Sequence, residues 1–260
     1  MTKRFFLAVP VFLVVVGCAS LKAPLRSDAL WNIISEKCLP LAKSGDQAKN
    51  PCIEVNLAKG EPHGYVVFKD RVGELQYLLM PTAKITGIES AELLNSDVTN
   101  YFDLAWKARS YMERKHGSAI APEAVSLAVN SQYGRSQNQL HIHVSCPKPE
   151  VQAQIAKDLM LFHAGWAVVP GGVLGHEYFA KKISVQDLEN KNAFKLLAEE
   201  VPGAKEHMGE FGLALVAVKN KAEPLSLVLL ASRVDRTTGS RGSIEEIQNH
   251  DCPQLKVANK

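Results

Sequence analysis

Two imidazoles two residues apart form the most reactive pattern in this chain. They are His141 and His143, in the run Gln139-Leu140-His141-Ile142-His143-Val144-Ser145. Near neutral pH an imidazole is largely unprotonated, and its free ring nitrogen is a nucleophile. Polar and apolar residues alternate here with period two, the pattern of a half-buried strand. Residues two apart on a strand share a face. So Gln139, His141, His143 and Ser145 project one way, and Leu140, Ile142 and Val144 enter a core. Residues 130–138 just upstream make a polar turn rich in hydrogen-bond donors. This combination suits in-line attack by His141 on phosphorus. The charge that grows on the non-bridging oxygens needs positioned donors, and Asn130, Arg135, Ser136, Gln137 and His143 are near enough in sequence to supply them. Such a reaction needs no metal and no other cofactor, because fixed donors take the metal's place.

A rigid strand must hold these rings, and the surrounding sequence provides for one. Residues 124–129 read as a strand, so strand, polar loop and His strand form a hairpin. Residues 65–69 and 76–80 read as a second hairpin across the turn chemistry of Asp70-Arg71-Val72-Gly73, and residues 212–218 and 226–232 as a third. The clearest helix covers 97–115, with Phe102, Ala105, Trp106 and Arg109 at helical spacing and Gly117 beyond its end. Further helices are expected from Ser27-Asp28 onward, over 151–162, over 185–201 behind Ser184, and over 244–249 behind Ser243. Residues 53–64 read as loop and 176–183 as a strand. The fold class is α+β: an antiparallel sheet with flanking helices. Two hairpins with a helix in each half hint at a degenerate duplication, and such a pseudo-dimer would need no second chain.

The ends of the chain speak to location. Lys3 and Arg4 precede an apolar run, residues 5–16, of signal-peptide length. It closes on Gly17-Cys18, which resembles a bacterial lipobox. This divides the chain into a leader (1–17), a tether anchored by lipid on Cys18 (18–30) and one domain (31–260). An uncleaved signal anchor is the alternative, and both place the domain outside the cytoplasm, tethered to a membrane. Losing the leader removes two cations and no acid, so the formal charge falls from +3 to +1. No long basic run is present, which argues against nucleic acid as a partner. The remaining cysteines, Cys38, Cys52, Cys146 and Cys252, are even in number in an exported chain and allow three disulfide pairings. Cys38–Cys52 is the local choice. It leaves Cys146–Cys252 to tie the C-terminal region to the end of the His strand.

Asn130-Ser131, Gly134-Arg135-Ser136 and His141-Ile142-His143-Val144 resemble the histidine-triad (HIT) superfamily, whose signature is three alternating histidines on a strand behind a phosphate-binding loop. The wider chain resembles the bacterial CDP-diacylglycerol pyrophosphatases. That resemblance rests on residues 64–67, 76–82, 104–109, 124–131, 175–178 and 197–202. It implies a HIT-like sheet, His141 as nucleophile and His143 in the third triad position. It also implies phosphate binding by Asn130, Arg135, Ser136 and Gln139. Gln139 stands where the first His belongs, which leaves the proton donor unassigned. The implied substrate is CDP-diacylglycerol at the membrane surface, hydrolysed in the periplasm to CMP and phosphatidate as part of phospholipid metabolism. The chain would act as a monomer or a homodimer. Two other classes fit the same residues. One is a metallohydrolase using the His-x-His pair with His176, Asp or Glu as third ligand. The other is a non-catalytic lipoprotein that binds nucleotide or lipid.

Overall fold

The computed structural model describes residues 27–219 and 225–255. The leader, Cys18 and most of the expected tether lie outside the described residues. Among the described residues, no helix is long and apolar enough to cross a membrane.

Nine strands form one sheet: β1 Cys52–Asn56, β2 Tyr65–Lys69, β3 Tyr77–Pro81, β4 Ser126–Val129, β5 Ile142–Ser145, β6 Ala167–Val168, β7 Phe179–Ile183, β8 Phe211–Val218 and β9 Ser226–Arg233. Their order across the sheet is β1-β2-β3-β5-β4-β8-β9-β7-β6. Every neighbouring pair is antiparallel. The helices are α1 Ala29–Ile33, which continues through a π turn into α2 Leu39–Ser44, then α3 Tyr101–His116, α4 Pro149–Asp158, α5 Val185–Asn190 and α6 Ala193–Glu200. The fold is α+β, as expected, and all three expected hairpins are present.

Three local expectations are corrected. Residues 52–56 are a strand, not a loop, because Glu54 is a fixed acceptor: Tyr65 and Tyr111 both donate to its carboxylate at 2.7 Å. The single helix expected over 185–201 is two helices. Lys191 is extended, and the Asn192 side chain accepts from the Phe194 N–H at 2.9 Å, starting α6 afresh. The last expected helix shrinks to a 3-10 turn, Ile244–Ile247.

The two faces of the sheet are filled differently. On one face Leu127, Ile142, Val144 and Leu215 share a continuous core with Phe102, Trp106 and Phe194 from α3 and α6. On the other face the apolar filling is in two pieces. Val66, Leu78 and Met80 pack with Ile34, Cys38 and Leu39 near α1 and α2. Ala128, Ala214 and Leu230 pack with Val151 and Ile155 of α4. Strand β5 runs between β3 and β4, at the gap between the two pieces, and there it presents His143 and Ser145.

Two disulfides close the frame, Cys38–Cys52 and Cys146–Cys252, with Cα atoms 5.6 and 5.3 Å apart. The second fastens residues 244–252 across the gap. That segment is also bonded at its backbone, Lys148 N–H to the Ile247 carbonyl at 2.7 Å and Asn249 N–H to the Cys146 carbonyl at 2.9 Å.

Candidate active site

Antiparallel register puts His143 beside Leu78 of β3 and Ala128 of β4. The alternation that sends Ile142 and Val144 into the core turns His141 and His143 onto the divided face. Both rings are largely buried, 8% and 6% exposed. Their centroids lie 4.9 Å apart, edge to face.

His141 sits just before β5. Its Nδ1 is 2.6 Å from the Gln139 carbonyl. A carbonyl only accepts, so Nδ1 carries the proton and Nε2 holds a lone pair. That Nε2 has no hydrogen-bond partner among the described residues. Burial lowers the pKa of His141 below the usual imidazole value, against the opposing pull of the Gln139 carbonyl and Glu245. The ring is therefore neutral at pH 7.

His143 has the opposite tautomer. The Gln76 amide nitrogen donates to Asp70 Oδ2 at 3.1 Å, which fixes its orientation, and lies 3.0 Å from His143 Nδ1. Nδ1 thus accepts and Nε2 carries the proton. Nε2 is buried with no partner among the described residues. Burial above all lowers the His143 pKa, to about 4. Side by side, then, stand one open acceptor nitrogen and one open donor nitrogen.

The strap of residues 244–250 adds groups that no local pattern in the sequence marks. Glu245 Oε2 accepts from Asn130 Nδ2 at 2.8 Å, and the Glu245 N–H donates to Asn130 Oδ1 at 3.0 Å. Glu245 Oε1 lies 2.9 Å from His250 Nε2 and 3.2 Å from His143 Nδ1. Burial would raise the Glu245 pKa. The field of His143 and the hydrogen bonds from His250 and Asn130 outweigh it, and the pKa settles at about 2. His250 Nδ1 is 3.0 Å from Ser145 Oγ, and its ring lies near that of His143. Gln248 donates to Ser126 on β4 at 3.1 and 3.0 Å.

The residues expected to bind phosphate are brought together only in part. Asn130 is at the site, engaged with Glu245. Arg135 is turned away from ligand duty: it is 2% exposed, and its guanidinium forks onto Glu89 at 2.7 and 2.6 Å. Ser136 is exposed, and its backbone carbonyl accepts from Ser27 N–H at 2.9 Å. Gln139 is fully buried, its amide donating to the Pro81 and Ala83 carbonyls at 3.0 Å. Its contribution to His141 comes through its backbone oxygen. His176 lies beyond the strap, 2.8 Å from Glu246. Glu245, His250, Gln76 and Asp70 are the residues that sequence reading passed over. The one available signal was the Cys146–Cys252 pairing, which brings His250, two residues before Cys252, next to Ser145.

The family model for CDP-diacylglycerol pyrophosphatase matches residues 25–256. A Yersinia pestis protein named CDP-diacylglycerol pyrophosphatase is 44% identical over 256 residues, covering 97% of this chain and 95% of its own length. The chain therefore belongs to the CDP-diacylglycerol pyrophosphatase family and is, with it, a pyrophosphate-cleaving hydrolase.

Proposed function

We propose that this chain hydrolyses the pyrophosphate bond of CDP-diacylglycerol to CMP and phosphatidate through a cytidylyl group carried on His141. Family membership supports the substrate. The observation that carries the mechanism is the pair of open ring nitrogens, a lone pair on His141 Nε2 beside an N–H on His143 Nε2.

His141 Nε2 attacks the cytidine-side phosphorus in line. The bond from that phosphorus to the bridging oxygen breaks, and its electron pair leaves with phosphatidate. A phosphate monoester has a second pKa of about 6, so it departs without a strong acid. That suits a strand on which Gln139 replaces the first triad His. The His143 N–H donates to a non-bridging oxygen as charge grows there. The attacking ring becomes cationic, and the Gln139 carbonyl and the Glu245 carboxylate both favour a cation at that place. Water then adds to the same phosphorus, the P–N bond breaks, one proton is released, and CMP leaves with His141 neutral again. Because both rings are largely buried, the diphosphate enters as the polar loop 130–138 or the strap opens, in the manner of a lid.

On this reading β5 is a histidine-triad strand. A lipid on Cys18 would hold the site in the periplasm beside lipid headgroups, where tethering raises the effective substrate concentration. The test is CMP release from CDP-diacylglycerol in mixed micelles. His141→Ala is expected to lose on the order of 10⁴-fold in kcat, and wild type quenched during turnover should carry a cytidylate on His141 by mass spectrometry. Equal rates for the two proteins remove His141 as nucleophile.

A further inference from the structure

The described residues begin at Ser27, and its first contacts are with the loop that leads to His141. The Ser27 N–H donates to the Ser136 carbonyl at 2.9 Å, and the Ser27 carbonyl accepts from the Asn138 N–H at 2.8 Å. Ser27 and Gln137 so form a parallel bridge. The Leu30 N–H adds a contact of 3.4 Å to Gln137 Oε1. The chain therefore enters the domain at the end of the sheet where β5 begins. Its length ahead of that point sets a limit. Nine residues separate Cys18 from Ser27. Fully extended, they reach about 32 Å at most. The eight residues of β8 make the sheet about 27 Å from end to end. A bilayer touching the His141 end needs little of that reach. One touching the opposite end would use almost all of it to run back along the sheet.

The substrate sets a second condition. The acyl chains of CDP-diacylglycerol lie in the hydrocarbon core of a bilayer, and the headgroup layer above is only about 5–8 Å thick. His141 stands one residue before β5, at the end where Ser27 enters. With the lipid still in its bilayer, the phosphorus meets His141 only if this end rests on the membrane.

What this end presents suits that contact. On the β2–β3 side, Trp31 of α1 is partly exposed. The Lys84 ammonium lies 5.8 Å from its ring centre and 3.4 Å from Asp28. The Ile85 carbonyl accepts from the Leu140 N–H at 2.6 Å, which keeps Lys84 at this end. An indole with a cation beside it fits the headgroup level. On the β7 side, the hairpin from β6 turns through residues 170–175, which carry no charge. Register runs from Phe179 through Ala231 and Leu213 to Val129, so this turn too lies where β4 stops. Leu174 in it is 40% exposed and left-handed at φ 52°, a conformation that suits glycine better than leucine. Exposure alone does not select this end. Met160 and Leu161 are more exposed, at 61% and 54%. The neighbouring His163 carbonyl accepts from the Lys182 N–H at 2.9 Å, which sets them toward the opposite end. The tether and the phosphorus decide between the two.

We infer that the end of the sheet bearing His141 is the membrane-facing surface of the enzyme. Leu174 enters the acyl region on one side of β5, and Trp31 and Lys84 sit at headgroup level on the other. The inference rests on the proposed reaction and on an anchor ahead of Ser27. The full chain is tested on vesicles of phosphatidylcholine and phosphatidylglycerol whose acyl chains are brominated as quenchers. A bimane on Leu174→Cys should be quenched, and one on Leu161→Cys should not. Leu174→Asp should raise KM for CDP-diacylglycerol in plain vesicles by about tenfold. It should leave KM for the water-soluble dibutyryl analogue unchanged. Quenching at Leu161 alone, at both positions or at neither overturns the orientation. So does a ratio of the two KM values that Leu174→Asp leaves unaltered. If wild type releases CMP from neither substrate, the reaction falls instead, and quenching still decides the orientation.

Discussion

The two faces of the sheet solve different problems with the same strands. On the α3 side, apolar residues of β4, β5 and β8 meet helices along one uninterrupted core. On the opposite side that core is split, and the gap is filled by imidazoles, amides and a carboxylate under a strap. Polar groups in such a gap cost desolvation, and each must be matched by a partner or left open for a ligand. Here most are matched; among the described residues the open groups include amide oxygens of Gln76, Gln139 and Gln248 and the two imidazole nitrogens that the proposed reaction would use. The closed face supplies the rigidity, and the divided face spends part of it on chemistry.

The largest expected effect comes from loosening the strap. The Cys146–Cys252 disulfide closes a loop of 106 residues and Cys38–Cys52 one of 14. The chain-entropy model gives about 4.7 and about 3 kcal/mol for loops of these sizes. Cys146→Ser/Cys252→Ser should lose about 4 kcal/mol in denaturant unfolding and about 10- to 100-fold in kcat, because Glu245 and His250 are no longer held. Cys38→Ser/Cys52→Ser should lose stability while folded protein keeps its turnover. Equal kinetic effects from the two pairs would break the contrast between the faces.

Leu127 of β4 and His143 of β5 point to opposite faces of the sheet. Leu127→Ala on the closed face should cost about 2–5 kcal/mol of stability and leave the kcat of folded enzyme within about twofold, since Leu127 touches only the core. His143→Ala on the divided face should lose on the order of 100-fold in kcat. Its stability should change less than that of Leu127→Ala, because the substitution removes a buried, unpartnered N–H.

The smallest effect is on pH. His143 has a folded pKa of about 4, below its unfolded value near 6.5. Between those values the unfolded chain binds the extra proton, so stability rises with pH across that window and falls as pH drops from 7 toward 4. About 3 kcal/mol is at stake, or about 6–12 °C in Tm for a chain of this size. His143→Asn should flatten that slope. Glu245 adds its own loss only at more acid pH, as its carboxylate protonates near 2.

What the sequence reveals follows from how local each signal is. The His strand, the hairpins and α3 are written in periods of 2 and 3.6, which a short window shows. The α5–α6 break is a local signal too, in the cap residue Asn192, but the apolar spacing on both sides hides it. Strand β1 depends on two tyrosines from other elements. Arg135 reads as a phosphate clamp because its loop is polar, and only the fold shows Glu89 beside it. The shell of Glu245, His250 and Gln248 is most distant of all, joined to β5 and β4 across more than a hundred residues. Periodicity carries no trace of such a meeting, and the cysteines alone mark it.

The strap has a consequence for timing. A ribosome makes His141 long before it makes Glu245 and His250, and the cystine that fastens them must wait for Cys252 and for an oxidant. Throughout synthesis the nascent polypeptide holds a bare pair of imidazoles with no carboxylate beside them. Glu245 and His250 can be fastened beside that pair only once Cys252 has been made and joined to Cys146.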